Sequence, residues 1–288
     1  MALTVYRNVL EAPPVSPPRY SLLTAVEVVD EPGTRWEGGY EFVSEVGGRS
    51  GSDFLEQCLQ WYWSGTDVPW NVAVEPMVVW AEDPCHSTLG SRGRDWQGRA
   101  RRSLLAHQSH DLAKRVAVDI LNPAAVTQAP VEQDVAPTHG LAQLEDRLSQ
   151  ALHGPVGYLH MSPGTLSILV GAGLVRLDGA RWVTGIGNIV VADSGYADNL
   201  EVGGDDFGSI VATGPVRVRL GPIEVPSDPT EFIDASTNSV AVVAWRPAAV
   251  EVDLGSAGVE LGAPGDFTPT ALSVRILAGP PTTGTPGR

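Results

Sequence analysis

The sequence predicts an α+β fold, because helical patterns in its middle are followed by a series of short strands. Apolar residues make up 43% of the 288 residues, which is enough for a folded core and excludes disorder throughout. The chain also contains 32 glycines and 23 prolines, which favours turns and strands over a helical bundle. No run of about 18 apolar residues occurs, so no membrane span is predicted.

Residues 1–45 are predicted to form an extended arm. Four prolines disfavour helix there, namely Pro13, Pro14, Pro17 and Pro18. A short apolar stretch at residues 22–29 predicts one strand, and residues 31–39 predict a turn. Because such an arm buries little surface against itself, it needs the body of the protein or a neighbouring molecule to lie on.

Residues 46–92 are predicted to be an extended loop region that begins with a glycine- and serine-rich stretch. Trp61 and Trp63 lie in its first half. Residues 72–80 alternate as a strand, which Asp83 and Pro84 are expected to end. The tryptophans of this region, including Trp80, are expected to pack in apolar surroundings.

Residues 94–121 carry the strongest helical pattern of the chain, with apolar residues at intervals of three or four. The apolar positions are Trp96, Ala100, Leu104, Ala113, Val116, Ala117 and Ile120. Asp95 suits an N-terminal cap, and the helix is about 40 Å long at 1.5 Å per residue. Basic residues occupy the complementary positions, namely Arg94, Arg99, Arg101, Arg102, Lys114 and Arg115.

The second half of the chain begins with a linker at residues 122–136 and a predicted helix at residues 140–152, capped by Thr138. The apolar face of that helix consists of Leu141, Leu144, Leu148 and Leu152. A strand at residues 157–161 precedes a helix at residues 164–172, which Ser162 caps and Pro163 opens. Further strands are predicted at residues 188–192, 209–213, 215–220, 236–245 and 248–253, with an acidic loop at residues 198–206 and a tail at residues 277–288.

The sequence lacks the motifs of common enzyme classes, so we predict that the chain is not an enzyme and needs no cofactor or metal. It contains no G-x-S-x-G, no P-loop and no G-x-G-x-x-G. Cys58 and Cys85 are not in a C-x-x-C motif, and His107 and His110 have no third ligand nearby. The net charge of −15 opposes general nucleic-acid binding, although seven of the 19 basic residues lie between residues 92 and 115.

One segment near the end of the chain resembles a known family. In residues 231–250, Asn238 precedes an alternating strand, and Arg246 and Pro247 follow before a final strand. This order resembles the closing segment of tailed-phage major capsid proteins of the Hong Kong 97 type. Residues 160–163 look like a helix start in their axial domain. Residues 213–225 are similar to structural proteins of actinobacterial phages, so the resemblance implies such a source.

The resemblance implies an α+β fold of the Hong Kong 97 type with six regions. These are an N-terminal arm (residues 1–45), an extended loop region (46–92), a long spine helix with part of a peripheral domain (93–137), an axial domain (138–229), return strands of the peripheral domain (230–267) and a C-terminal tail (268–288). The arm and the extended loop are expected to lie on neighbouring subunits.

The implied function is that of a major capsid protein. Such a protein assembles into pentamers and hexamers that form an icosahedral shell around packaged double-stranded DNA, without sequence specificity. Implied partners are other copies of the chain, a portal protein, and scaffolding or decoration proteins, with assembly in the host cytoplasm, location in the virion capsid and no membrane contact. Candidates for contacts between subunits or with DNA are Arg94, Arg99, Arg101, Arg102, Lys114, Arg115, Trp61 and Trp63.

One departure from the family concerns covalent crosslinks. The type member joins its subunits by isopeptide bonds from a lysine in the extended loop to an asparagine. Lys114 is the only lysine here, and it lies on the predicted helix rather than in residues 46–92. We therefore expect no such crosslink, so denaturing gels of mature particles are expected to show monomer.

Two alternatives stay open at the level of sequence. Another phage structural protein, such as a tail-tube or decoration subunit, is one; a tube subunit is mostly β and would lack the long helix. A secreted hydrolase or sugar-binding protein is the other, suggested by the eight tryptophans. Such a protein would carry a secretion signal or an acid pair, and residues 1–11 lack the pattern of a signal.

Overall fold

The chain folds around two β-sheets and one long helix. A computed structural model describes residues 16–32, 40–43, 71–74, 76–85, 95–121, 137–152, 154–197, 200, 209–226, 233–234, 239–253 and 272–275. The helices are α1 (Leu22–Ala25), α2 (Trp96–Arg115), α3 (Pro137–Leu152) and α4 (Pro163–Gly171). A π-helical turn (Val116–Ile120) extends α2, and a 3-10 turn spans Ser194–Tyr196.

Thirteen strands are described. They are β1 (Glu27–Asp30), β2 (Tyr40–Val43), β3 (Asn71–Val74), β4 (Met77–Cys85), β5 (Tyr158–Met161), β6 (Val175–Asp178), β7 (Arg181–Thr184), β8 (Ile189–Ala192), β9 (Ser209–Thr213), β10 (Val216–Leu220), β11 (Ile233–Asp234), β12 (Ser239–Val252) and β13 (Leu272–Arg275). The first sheet has the order β1-β10-β12-β11, and β4 also pairs with β12. The second sheet has the order β13-β9-β5-β8-β7-β6, and among the described strands β2 pairs with β3 alone.

The long helix α2 confirms the strongest sequence prediction, and the side chain of Asp95 accepts a hydrogen bond of 2.8 Å from the Gly98 amide at its start. The buried side of the helix changes along its length. In the first half, Ala100, Leu104 and Gln108 are buried at intervals of four, and Gln108 contacts Arg246 of the first sheet. In the second half, buried Leu112 and Ala113 lie on a different side.

That different side of α2 faces the 3-10 turn. A Cβ atom added to Gly195 would lie 2.2 Å from the His110 carbonyl oxygen and 2.9 Å from the Ala113 Cβ. The turn therefore approaches the backbone of α2 as closely as only glycine allows. Because this turn follows β8, the contact joins the second sheet to the long helix.

Two hydrophobic cores result from this arrangement. The first joins α1 and α2 to the inner face of the first sheet, through buried residues such as Leu22, Leu104 and Val218. The second joins α3 and α4 to one face of the second sheet, and it contains the four leucines predicted for α3. Val191 and Val211 project from the opposite face of the second sheet into the first core.

The strand predicted within the N-terminal arm is shorter than expected and is preceded by a helical turn. Residues 22–29 were expected to form one strand, but they form the helical turn α1 followed by β1. Ser21 is the N-cap of α1, and the backbone N–H of Leu22 donates to the Asp193 carboxylate at 2.9 Å, so the start of α1 is also bound by the loop after β8. Residues 22–30 thus lie on the body of their own subunit, which was one of the two possibilities for the arm.

The predicted strand at residues 72–80 is two strands. β3 pairs with β2, whereas β4 pairs with β12 and continues through Asp83 and Pro84 instead of ending there. Within the described residues β4 has a paired neighbour on one side only, and proline is tolerated in such an edge strand because no second neighbour needs its missing N–H.

A proline also lies inside β12, where two strands were predicted and one forms. The Gly221 N–H donates to the Pro247 carbonyl at 2.8 Å. The reciprocal bond of an antiparallel pair would need the N–H that proline lacks. Instead, Arg246 Nε donates to the Gly221 carbonyl at 2.8 Å. The arginine side chain thus replaces the missing backbone donor, and the strand continues.

One smaller prediction is wrong in its limits, and two strands pair across the bounds of the predicted regions. Thr138 lies inside α3, which begins at Pro137, and does not cap it. β10 pairs with β1 and β12 in the first sheet, although residues 138–229 were assigned to one axial domain. β13 lies in the predicted C-terminal region (residues 268–288) but pairs with β9. Short apolar strands look alike in sequence, so their partners could not be assigned.

Candidate interaction surfaces

The basic residues of α2 form two separate clusters. Arg101 and Arg102 lie beside Leu105, and Lys114 and Arg115 lie beside Val118; all six side chains are exposed. At about 100° per residue, the centres of the two clusters are about 140° apart around the helix axis. The clusters therefore face opposite sides of α2, because its buried side changes halfway along.

Part of this positive charge is already paired within the subunit. Arg102 lies 3.5 Å from Asp95, and Arg115 lies 2.8 Å from Asp119. Arg99 is half-buried, with its guanidinium 5.7 Å from the centre of the Trp96 ring. Within the described ranges Arg101 and Lys114 form no ion pair, so they carry the charge most available to a partner. Arg94, Trp61 and Trp63 lie outside the described residues.

The first sheet has an apolar surface on the face turned away from α2, which we call the outer surface. Val78 and Trp80 are 60% and 58% exposed, whereas Val79 and Ala81 between and beside them are buried against α2. Trp245 is the direct cross-strand neighbour of Trp80 and shares its face. The expectation that Trp80 packs in apolar surroundings is therefore wrong for the subunit by itself.

Sequence reasoning missed this surface, although a signal was present. Between residues 77 and 82 apolar side chains occur at both odd and even positions, so they point to both faces of the strand. If the core covers one face of the sheet, the apolar side chains of the other face must be exposed. Large exposed apolar patches of this kind mark interaction sites in soluble proteins. The outer surface is therefore a stronger candidate for a protein contact than the basic positions chosen from sequence.

The other end of the outer surface carries a ladder of charges across three strands. Arg217 Nε lies 2.8 Å from Glu27 of β1, and its Nη1 lies 3.5 Å from Glu251 of β12. Arg219 forms ion pairs with Glu251 and Glu31. The hydrogen bond to Glu27 raises the pKa of Arg217. These pairs hold β1 to β10 and leave little free charge at this end.

A buried carboxylate joins three elements that border the first core. Asp193 is 2% exposed, and its Oδ2 accepts hydrogen bonds from the Leu22 N–H at 2.9 Å and from Ser109 Oγ at 2.8 Å. Its Oδ1 accepts from the Gly195 N–H at 3.0 Å. Because these donors come from α1, α2 and the 3-10 turn, Asp193 fixes three elements that are far apart in sequence.

The described residues show two further properties relevant to function. None of the described helices is both long and apolar enough to cross a membrane. In the same part of the chain, no three His, Cys, Asp or Glu side chains are grouped so that they could hold a metal ion.

The two sheets, the helix between them and the order of the elements can be compared with known proteins. No family model matches the sequence, and no curated protein matches it either. A capsid chain of an empty GTA particle is similar in structure over 96% of this chain and 94% of that chain, with 13% sequence identity and a TM-score of 0.51.

The chain has the capsid fold of the Hong Kong 97 type. A chain of Microbacterium phage Oxtober96 is similar over 96% of this chain and 95% of that chain, with 13% identity and a TM-score of 0.49. The encapsulin of Synechococcus elongatus is similar over 93% and 92%, with 9% identity and a TM-score of 0.49. The closing segment and the order of elements predicted an α+β capsid fold. The structural similarity to the GTA capsid chain confirms this fold class.

Proposed function

We propose that this chain is a shell-forming capsid subunit, and more specifically the major capsid protein of a tailed phage. The observation that carries the proposal is the structural similarity to a capsid chain over nearly the full length of both proteins. The long helix α2, with 20 residues, argues against a tail-tube subunit, which is mostly β.

The proposed shell is icosahedral, is built from pentamers and hexamers, and encloses double-stranded DNA. In this arrangement the first sheet and α2 belong to the peripheral domain, and the second sheet with α3 and α4 belongs to the axial domain. A portal protein, and scaffolding or decoration proteins, are the proposed partners. An actinobacterial phage is the proposed source, the host cytoplasm the place of assembly and the virion capsid the final location.

DNA contact is proposed for one of the two basic clusters only. Because the clusters lie on opposite sides of α2, they cannot both face the interior of a closed single-layered shell. Whichever faces inward would meet phosphates without reading sequence, since arginine and lysine at a helix surface contact the backbone by charge alone. The other cluster would face acidic surfaces of the same or neighbouring subunits.

Contact between subunits is proposed for the outer surface of the first sheet, with a second copy of this chain as the partner. The exposed Val78 and Trp80 would lose contact with water on assembly, and each Å² of apolar area removed contributes about 25 cal/mol. Aromatic side chains in such positions often dominate the binding energy of an interface.

The variant Trp80→Ser tests this role by sedimentation velocity. We expect the variant to remain folded, with less than about 1 kcal/mol of change in the free energy of unfolding, but to shift from large assemblies towards subunits. The matched control is Val79→Ser on the buried face of the same strand, which should destabilise the subunit by about 2 kcal/mol. Undiminished assembly of a folded Trp80→Ser protein would contradict the proposed contact.

A further inference from the structure

A histidine is buried where the second sheet meets the first core. His160, in the central strand β5, is 0% exposed and pairs with Val191 of β8 and Val211 of β9. Its Nδ1 lies 2.9 Å from the Tyr196 hydroxyl, and its Nε2 lies 2.9 Å from Thr213 Oγ1. The planes of the imidazole and phenol rings make an angle of 89°, and the ring centres are 5.5 Å apart.

The hydrogen bonds determine where the proton of the neutral imidazole lies. Thr213 Oγ1 donates its single proton to the Gly214 carbonyl at 3.0 Å, so towards His160 it can only accept. Nε2 is therefore the protonated nitrogen, and Nδ1 accepts the hydrogen bond of the Tyr196 hydroxyl. Burial and the nearby Asp193 raise the pKa of Tyr196, so this hydroxyl keeps its proton.

A second proton on His160 does not fit this network. It would sit on Nδ1 and point at the Tyr196 oxygen, whose own proton would then lose its acceptor inside the core. The imidazolium would have no carboxylate as a direct partner, because both ring nitrogens contact hydroxyl groups. Burial accordingly lowers the pKa of His160 to about 3.

Tyr196 links this histidine to the long helix. It ends the 3-10 turn that packs on α2 at Gly195, and Asp193 at the start of that turn binds α1 and α2. Ser194 Oγ also lies 2.9 Å from His110 Nδ1 on α2. The contact between His160 and Tyr196 therefore belongs to the connection between the second sheet and α2.

The ionisable groups around this connection come from every element packed there. Asp193 precedes the turn, His110 and Lys114 lie on α2 against Gly195, and Asp253 follows β12 next to Gly214. Of these, Asp193 is buried with three neutral donors, and Lys114 is exposed. Burial alone accounts for the lowered proton affinity of His160, with no contribution from a neighbouring charge.

We propose that the contact of His160 with Tyr196 is a proton-sensitive latch, which mild acid opens between the second sheet and the long helix. A histidine in water takes up a proton near pH 6.5, whereas the latched residue does so only near pH 3. Within this window the open form binds one proton more than the closed form. The opening equilibrium constant therefore rises about tenfold for each unit of falling pH. The latch is a property of the subunit and does not depend on the proposed function.

Amide hydrogen exchange between pH 7 and pH 5 tests the latch, because carboxylates of an exposed chain stay largely charged in this range. After correction for the intrinsic pH dependence of exchange, the amides of residues 194–197 should lose protection in the unassembled wild-type chain about 15-fold between pH 6.5 and pH 5, because an exposed histidine is already half protonated at pH 6.5. The amides of β10 provide the reference within the same sample.

The variant His160→Gln should remove this acid dependence, because the glutamine amide can donate to Thr213 without titrating. His139→Gln, at an exposed histidine of α3, is the matched control and should keep it. Equal acid dependence in His160→Gln and wild type, or none in wild type, would overturn the proposal. If His160→Gln does not fold, Tyr196→Phe decides, since it weakens the latch at every pH but keeps the titrating histidine and hence the acid dependence. Loss of that dependence in Tyr196→Phe would count against the latch.

Discussion

The two sheets consist of similar alternating strands, yet the central strand of the second is buried on both faces, whereas strand β4 of the first is buried on one. In the centre of the second sheet, Leu159 and Met161 face α3 and α4, while His160 between them is equally buried on the opposite side. In the first sheet, Val79 faces α2, while Val78 and Trp80 are exposed. The second sheet is thus a structural layer inside the subunit, and the first presents a surface to its surroundings.

This difference shows where the subunit is rigid and where it can recognise a partner. The covered sheet is held by buried hydrogen bonds to Asp193, Tyr196 and Thr213, which are specific in geometry and costly to break. The first sheet is held at one end by ion pairs, and the exposed pair between Arg217 and Glu27 contributes little. Substitutions should therefore have large effects on stability at the hydrogen bonds of the second sheet and small ones at the exposed ion pairs of the first sheet.

The largest effect is expected at the contact between the second sheet and α2. Gly195→Ala places a Cβ atom 2.2 Å from the His110 carbonyl, so the 3-10 turn must move away from the helix. We expect the free energy of unfolding to fall by about 3 kcal/mol in urea denaturation. Gly171→Ala is the control, because nothing lies within 4 Å of its added Cβ and the residue ends α4. A loss of equal size in both variants would show that the close approach is not the cause.

A middle-sized effect is expected where β12 passes through a proline. Arg246→Met removes the donor that replaces the absent N–H of Pro247, and should cost about 2 kcal/mol because the Gly221 carbonyl is left without it. Adding Pro247→Ala to this variant restores a backbone N–H opposite Gly221, and should recover about 1 kcal/mol.

The double-mutant cycle over these two residues distinguishes this account from simple loss of packing. In the wild-type background Pro247→Ala brings no such gain, because Arg246 already occupies the carbonyl. The two substitutions must therefore be non-additive. Additive free energies of unfolding would mean that Arg246 does not act as the substitute donor.

The smallest effect is expected in the charge ladder of the first sheet. Arg217→Ala should lower the free energy of unfolding by about 0.5 kcal/mol, since the side chain is 43% exposed and Glu251 keeps its partner Arg219. The difference from wild type should vanish near 1 M salt, where the screening length is about 3 Å. A loss above about 2 kcal/mol that persists in salt would show that this end of the sheet is as tightly held as the second sheet.

Local patterns made part of the fold predictable. The start of α2 at Asp95, the leucine face of α3 and the cap of α4 at Ser162 follow from residues within one or two turns of each other. The hydrogen bond at the start of α1 did not, because the acceptor of the Leu22 N–H, Asp193, is 171 residues away. The continuation of β12 through Pro247 likewise depends on Gly221, a partner that no local pattern reveals.

The candidate interaction surfaces were less predictable than the fold. The spacing of the basic residues on α2 suggested positions complementary to one apolar side, but the helix is buried on different sides along its length, so the charge divides into two clusters. Trp80 was expected to pack because its sequence context is apolar. Which of the two sides is covered depends on α2, and only the tertiary fold decides that.

Electron microscopy of the purified protein, before and after concentration and with its coexpressed partners, tests the central claim most directly. If the chain is a shell-forming capsid subunit, images should show closed shells or rings of five and six subunits, and particles from infected cells should contain nuclease-protected DNA. Closed shells without DNA under infection conditions would keep the shell but reject the phage capsid. Long tubes of narrow bore, or subunits that stay monomeric under all these conditions, would contradict the account.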